Sequence, residues 1–153
     1  MCVVEHYTYE DYKQWKGDWE LIKGIPFAMA PAPMRKHQSI ASEIIRYFGN
    51  EIEECLRCEV LGEMDYKVEE DTILHPDIVL ICDEKYKFDI YEAEKVKYYV
   101  LVYPDDLKAK IYKLDGKKYD KQGDFTHESY TFEETLCGVS LDFERVFRRF
   151  RRR

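Results

Sequence analysis

Apolar positions along this chain recur with two different periods. From Ser39 to Leu56 they fall at 40, 41, 44, 45, 48, 52, 55 and 56, the spacing of one helical face, with Glu43, Arg46, Asn50 and Glu53 opposite. Residues 7–15 predict a shorter amphipathic helix, capped by Thr8 with Asp11 as its box partner and ended by Gly17. Trp19-Glu20-Leu21-Ile22 and Ile25-Pro26-Phe27-Ala28-Met29 alternate about Lys23-Gly24, which predicts a β-hairpin, closed by Pro31 and Pro33. Residues 58–68 alternate, and Ile78-Val79-Leu80-Ile81-Cys82 is the continuous run of a strand covered on both faces, with Pro76 near its start. A second helix is expected over 83–95, where 88, 90, 91 and 93 are apolar. Beyond it come a buried strand at 98–103, a hairpin about Asp115-Gly116, short strands near 117–121 and 128–132, and a closing amphipathic helix from Leu141 to Arg153. The sum is an α+β fold with a mixed β-sheet and flanking helices.

Length changes the picture little: 153 residues, 45% hydrophobic and 36% charged, make one domain over 1–153 that can fold without staples. No apolar run approaches the ~20 residues needed to cross a bilayer, and the first residues lack the basic start of a signal peptide, so a cytoplasmic protein with no membrane partner is expected. Charge is more informative. The net charge of −7 hides six arginines within 145–153, without which 18 basic residues face 31 acidic ones. Such a body repels polyphosphate unless the arginine tail makes the contact; the plainer reading of that tail is a solvated helix end whose cations suit the dipole.

Several chemistries are absent. The seven glycines form no G-x-G-x-x-G or P-loop pattern, so no nucleotide cofactor is expected, and no serine sits in a G-x-S-x-G elbow. Cys55-Leu56-Arg57-Cys58 is a lone C-x-x-C with no second pair at zinc-finger spacing and no strand-helix context for redox work. The five cysteines therefore read as buried or free thiols. The suggestive stretch is His75-Pro76-Asp77-Ile78-Val79: an aspartate opening an apolar strand is costly unless it is exposed at the sheet end or holds an ion.

Taken in order, Tyr7-Thr8-Tyr9-Glu10-Asp11-Tyr12, Trp19-Glu20-Leu21-Ile22-Lys23-Gly24, residues 30–38 ending in His37-Gln38, Glu70-Asp71-Thr72 and Pro76-Asp77-Ile78-Val79 resemble the Uma-type restriction endonucleases of the PD-(D/E)xK nuclease superfamily. Val96-Lys97-Tyr98-Tyr99 with Tyr103-Pro104-Asp105 extends the similarity over nearly the whole chain. The resemblance implies a restriction-endonuclease-like core and Mg²⁺-dependent cleavage of DNA phosphodiesters, with Asp77 as the metal aspartate. It also implies that Glu20 and His37 are site residues, Glu20 as a further metal acid, and that Lys87 orients the attacking water, with Asp83 and Tyr91 in the same helix register.

The chain departs from that pattern after Cys82, where the family has a further core strand carrying a glutamate. Losing it removes the second metal acid, which predicts a weakly held Mg²⁺ and impaired or lost hydrolysis. Asp83-Glu84-Lys85 spells the missing half-motif, but six residues of strand at ~3.3 Å each separate Asp83 from Asp77 by about 20 Å, too far to share one ion. Asp65-Tyr66-Lys67, facing Asp77 across a hairpin, is the alternative. Loss of a core strand also bares its neighbour's edge, which favours pairing with a second copy, so a non-catalytic binding or assembly module is the competing expectation.

Overall fold

A computed structural model of the chain describes residues 5–29, 34–82 and 96–151. The elements are α1 (Tyr9–Tyr12), β1 (Trp19–Ile22), β2 (Ile25–Ala28), α2 (Arg35–Glu51), β3 (Cys58–Leu61), β4 (Tyr66–Glu69) and β5 (Thr72–Leu74). They continue with β6 (Val79–Cys82), β7 (Tyr98–Tyr103), β8 (Lys108–Asp115), β9 (Lys118–Phe125), β10 (Ser129–Phe132), β11 (Val139–Asp142) and α3 (Phe143–Arg151). The helix expected over 83–95, and with it Asp83, Lys87 and Tyr91, lies outside the described residues.

Local chemistry explains the N-terminal half. The Asp11 carboxylate accepts from the Thr8 amide at 2.9 Å and its hydroxyl at 3.0 Å, opening α1 as the cap predicts. Lys23 and Gly24 both take positive φ, 49° and 75°, the two-residue turn that matches the right-handed twist of the β1–β2 hairpin. A side chain at Gly24 would also run into the His6 ring. The hairpin joins β5 and β4 in the order β2-β1-β5-β4, with fully buried Leu21 opposite fully buried Ile73.

Strands elsewhere group as β3-β6, β7-β8-β9 and β10-β11, and every ladder among the described residues is antiparallel. The alternating run 58–68 is divided: its first part pairs with β6 and its last with β5. Residues 62–65, between them, turn the chain from one sheet to the other. β6 is half-buried at each of its residues, less covered than its unbroken apolar run predicts.

The main core forms where α2 packs against the C-terminal strands and α3. Ile40, Ile44, Phe48 and Ile52 from α2 and its C-cap meet Ala109 and Ile111 of β8, Phe132, Val139 and Leu141 of β10 and β11, and Phe143, Val146 and Phe147 of α3. Each of these side chains apart from Ala109 contributes roughly 1.5–3 kcal/mol by leaving water. α2 runs from 35 to 51 instead of 39 to 56, because Ile52 caps it and a separate turn closes from Cys55.

Glu43 corrects the polar face assigned to α2. It is only 6% exposed, because α3 folds over it; Arg46 pairs with it, and Arg148 and Arg149 approach to 3.8 and 3.9 Å. Arg151 is also held, donating to the Thr126 carbonyl and lying 2.6 Å from His127 Nε2. Arg151 is thus held against the fold, whereas Arg145, Arg148 and Arg149 stay exposed, as a solvated helix face would have them. The cysteines are a second correction: Cys55 is joined to Cys137, and Cys58 to Cys82 across the β3–β6 ladder.

Candidate active site

Asp77 sits on the link between β5 and β6, after His75 and Pro76, with its side chain 55% exposed. The first turn of α2 brings His37 to it, Nε2 lying 3.3 Å from Oδ2. These two residues share a cleft of about 280 Å³ with Ser42 of α2 and Glu63 from the 62–65 turn. Nδ1 of His37 is buried with no protein partner among the described residues. A neutral ring protonated on Nε2 can donate to Asp77, and its other nitrogen is then a spare lone pair.

Glu20 reaches the same link from β1 in a different way. Its Oε1 accepts the His75 amide at 2.9 Å, so it fixes the backbone two residues before Asp77. Next to it is a network that the sequence did not announce: His75 Nδ1 lies 3.0 Å from Asp65 Oδ1, and the Tyr12 hydroxyl lies 2.8 Å from the same oxygen and 2.9 Å from the Trp19 carbonyl. The hydroxyl has one proton for these two acceptors. Burial, then the Asp65 carboxylate, pushes the Tyr12 hydroxyl well above its ordinary value. Asp65 thus faces His75 and Tyr12. Lys67, the other end of Asp65-Tyr66-Lys67, pairs with Glu70 and lies over the Tyr9 ring at 4.4 Å.

The hydrogen bond to Asp65 raises the His75 pKa above 6.5, against the lowering effect of burial. A raised histidine value stabilises the fold fully below about pH 6.5, and this contribution fades as pH rises through the folded-state value. Asp65→Asn is expected to return the His75 titration, followed by NMR of the imidazole protons, toward 6.5; an unchanged titration would contradict the pairing.

A hard divalent cation wants several oxygens at about 2 Å. Among the described residues the set of three or more His, Cys, Asp or Glu ligand atoms lying within 4.8 Å of one another is Cys55, Cys58 and Cys137, and Asp77 belongs to no such set. Asp77 offers one accessible carboxylate, paired with His37. One oxygen of Glu20 is engaged by the His75 amide. No third such ligand atom joins Asp77 and His37 among the described residues.

The profile of a family described as "Uma2: Putative restriction endonuclease" matches residues 9–87, which hold α1, the hairpin, α2 and the Asp77 link. The chain belongs to the Uma2 family. Its fold is that of a crystal structure from Anabaena variabilis titled a putative nuclease belonging to DUF820, with a TM-score of 0.69 at 13% identity, covering 93% of this chain and 98% of that one. Comparison with curated proteins gives no match. Among the described residues, no helix of this Uma2 protein is long and apolar enough to cross a membrane.

Sequence reasoning placed His37 and Asp77 in one site, and the structure brings them together. It also named Glu20, which lies along the same link in a supporting position, and Lys87, which lies outside the described residues. It missed Tyr12, His75 and Glu63. His75 stands immediately before the Pro-Asp pair, the one signal that could have drawn attention to it.

Proposed function

We propose that this Uma2 protein is a restriction-endonuclease-like domain over 1–153, a DNA phosphodiester hydrolase of impaired activity, acting in the cleft between α2 and the Asp77 link. The observation that carries this reading is Asp77 lying against His37 in an open cleft without a complete acidic set around it. A bound Mg²⁺ would supply charge stabilisation at the phosphate and a more acidic water. Asp77 would hold that ion, weakly, with Glu20 fixing the link. His37 orients the Asp77 carboxylate and can hold a proton at Nε2. Lys87 keeps the water-orienting role that the family likeness suggests.

Incubation of supercoiled plasmid with purified protein and Mg²⁺ or Mn²⁺ tests this. Slow nicking that stops with a chelator is expected; no nicking with either ion overturns it. The second reading, a non-catalytic assembly module, draws on β6: it pairs with β3 on one side, and no described strand pairs with its other edge. An inert protein that sediments as a dimer would favour that reading, since a bared edge invites a second copy.

A further inference from the structure

Four cysteines far apart in sequence meet at one place. Cys55 follows α2, Cys58 opens β3, Cys82 ends β6, and Cys137 lies in the turn between β10 and β11. The pairs Cys55–Cys137 and Cys58–Cys82 span 82 and 24 residues of chain. Two independent disulfides have no reason to touch, yet here they do. Cys58 Sγ lies 4.0 Å from Cys137 Sγ, and the Cys55, Cys58 and Cys137 sulfurs are all within 4.8 Å of one another. Sulfurs sharing one tetrahedral zinc at Zn–S ~2.3 Å are separated by about 3.8 Å, a spacing that these three approach, and Cys82 is carried beside them by its bond to Cys58.

The backbone around them is already shaped for this. The Cys58 amide donates to the Cys55 carbonyl at 3.0 Å, a turn that turns both members of the C-x-x-C toward one point. The Cys137 turn is tied by Thr135, whose hydroxyl donates to the Phe132 carbonyl at 2.6 Å and accepts the Val139 amide at 3.0 Å. Gly138 follows with φ 61°. Cys55 and Cys58 pack on the main core.

We propose that Cys55, Cys58, Cys82 and Cys137 form a structural Zn²⁺ site, separate from the Asp77 cleft, that pins the end of α2 and the β3–β6 ladder to the C-terminal sheet. Soft thiolates favour zinc over the hard Mg²⁺. A closed four-sulfur set with no open position is a structural site, not a catalytic one. Loading from the disulfide-bonded form requires a dithiol reductant: each disulfide takes two electrons and two protons from one dithiol, which leaves as its own disulfide. The four thiols then lose four protons as four Zn–S bonds form.

The test is metal analysis of the full chain, purified with a thiol reductant and no chelator, by plasma mass spectrometry. About one zinc per chain is expected, together with the intense visible bands of tetrahedral thiolate coordination on Co²⁺ replacement. Cys137→Ser, at the exposed turn, is expected to weaken zinc binding by more than the roughly 10–100-fold that loss of an outer-shell partner costs. Asp77→Ala is expected to keep its zinc, which separates this site from the nuclease reading. Reduced protein that carries no zinc and takes up neither zinc nor cobalt would overturn the proposal. So would a four-sulfur site filled by iron, or zinc retained in full by both Cys137→Ser and Cys58→Ser.

Discussion

Truncating Phe147 to alanine is expected to destabilise the protein by roughly 3–5 kcal/mol. Phe147 is fully buried, stacks on Phe143 with ring centroids 6.0 Å apart, and belongs to the cluster that joins α3 to α2 and the C-terminal strands. Its removal loses the transfer free energy of a ring and leaves a void that rigid neighbours on three elements cannot close. For a domain whose whole stability is about 5–15 kcal/mol, that is a large share. It should lower the melting temperature by roughly 10 °C and the urea midpoint in proportion. A loss below about 1 kcal/mol in urea unfolding would mean that α3 does not close this core.

Asp77→Ala is expected to reduce metal-dependent plasmid nicking by about 100-fold or more, with little loss of stability. The carboxylate is 55% exposed and its neighbour is the half-exposed His37, so folding depends on it only slightly. On the proposed reading, catalysis depends on it far more. A cation that stabilises phosphate charge contributes several kcal/mol, and each 1.36 kcal/mol is a factor of ten in rate. Equal nicking by wild type and variant would remove Asp77 from the chemistry and point to a contaminating nuclease.

What the sequence made legible follows from where the information is local. The Lys23-Gly24 and Asp115-Gly116 turns and a strand at 98–103 are each specified by neighbours within a few residues, and the structure has them where the pattern put them, although that strand is only partly covered, with Tyr99 exposed, and α2 lies a turn earlier than its stripe suggests. Glu43 could not be read this way. A carboxylate on the polar face of an isolated helix reads as solvated, and only the packing of α3, a hundred residues later, buries it among arginines.

The same limit applies to β11, a four-residue strand that merged with the closing helix in the apolar pattern at 141–150. It applies most strongly to the cysteines. Spacing arithmetic sees Cys55 and Cys58 as a lone pair, whereas the antiparallel β3–β6 register places Cys82 directly opposite Cys58 and the β10–β11 turn delivers Cys137. At the candidate site, family likeness named His37 and Asp77, which lie side by side, while the Tyr12–Asp65–His75 network emerged only when three segments came together.

On the proposed reading, Asp77 has no second acid with which to grip a hard ion. Calorimetric titration of the protein with Mg²⁺ measures this directly, because the cysteine cluster is too soft to compete for that ion. Half-saturation near or above ~1 mM, lost in Asp77→Ala, is the predicted result. Micromolar binding of Mg²⁺ that disappears with Asp77 would show an intact acidic site and contradict the account.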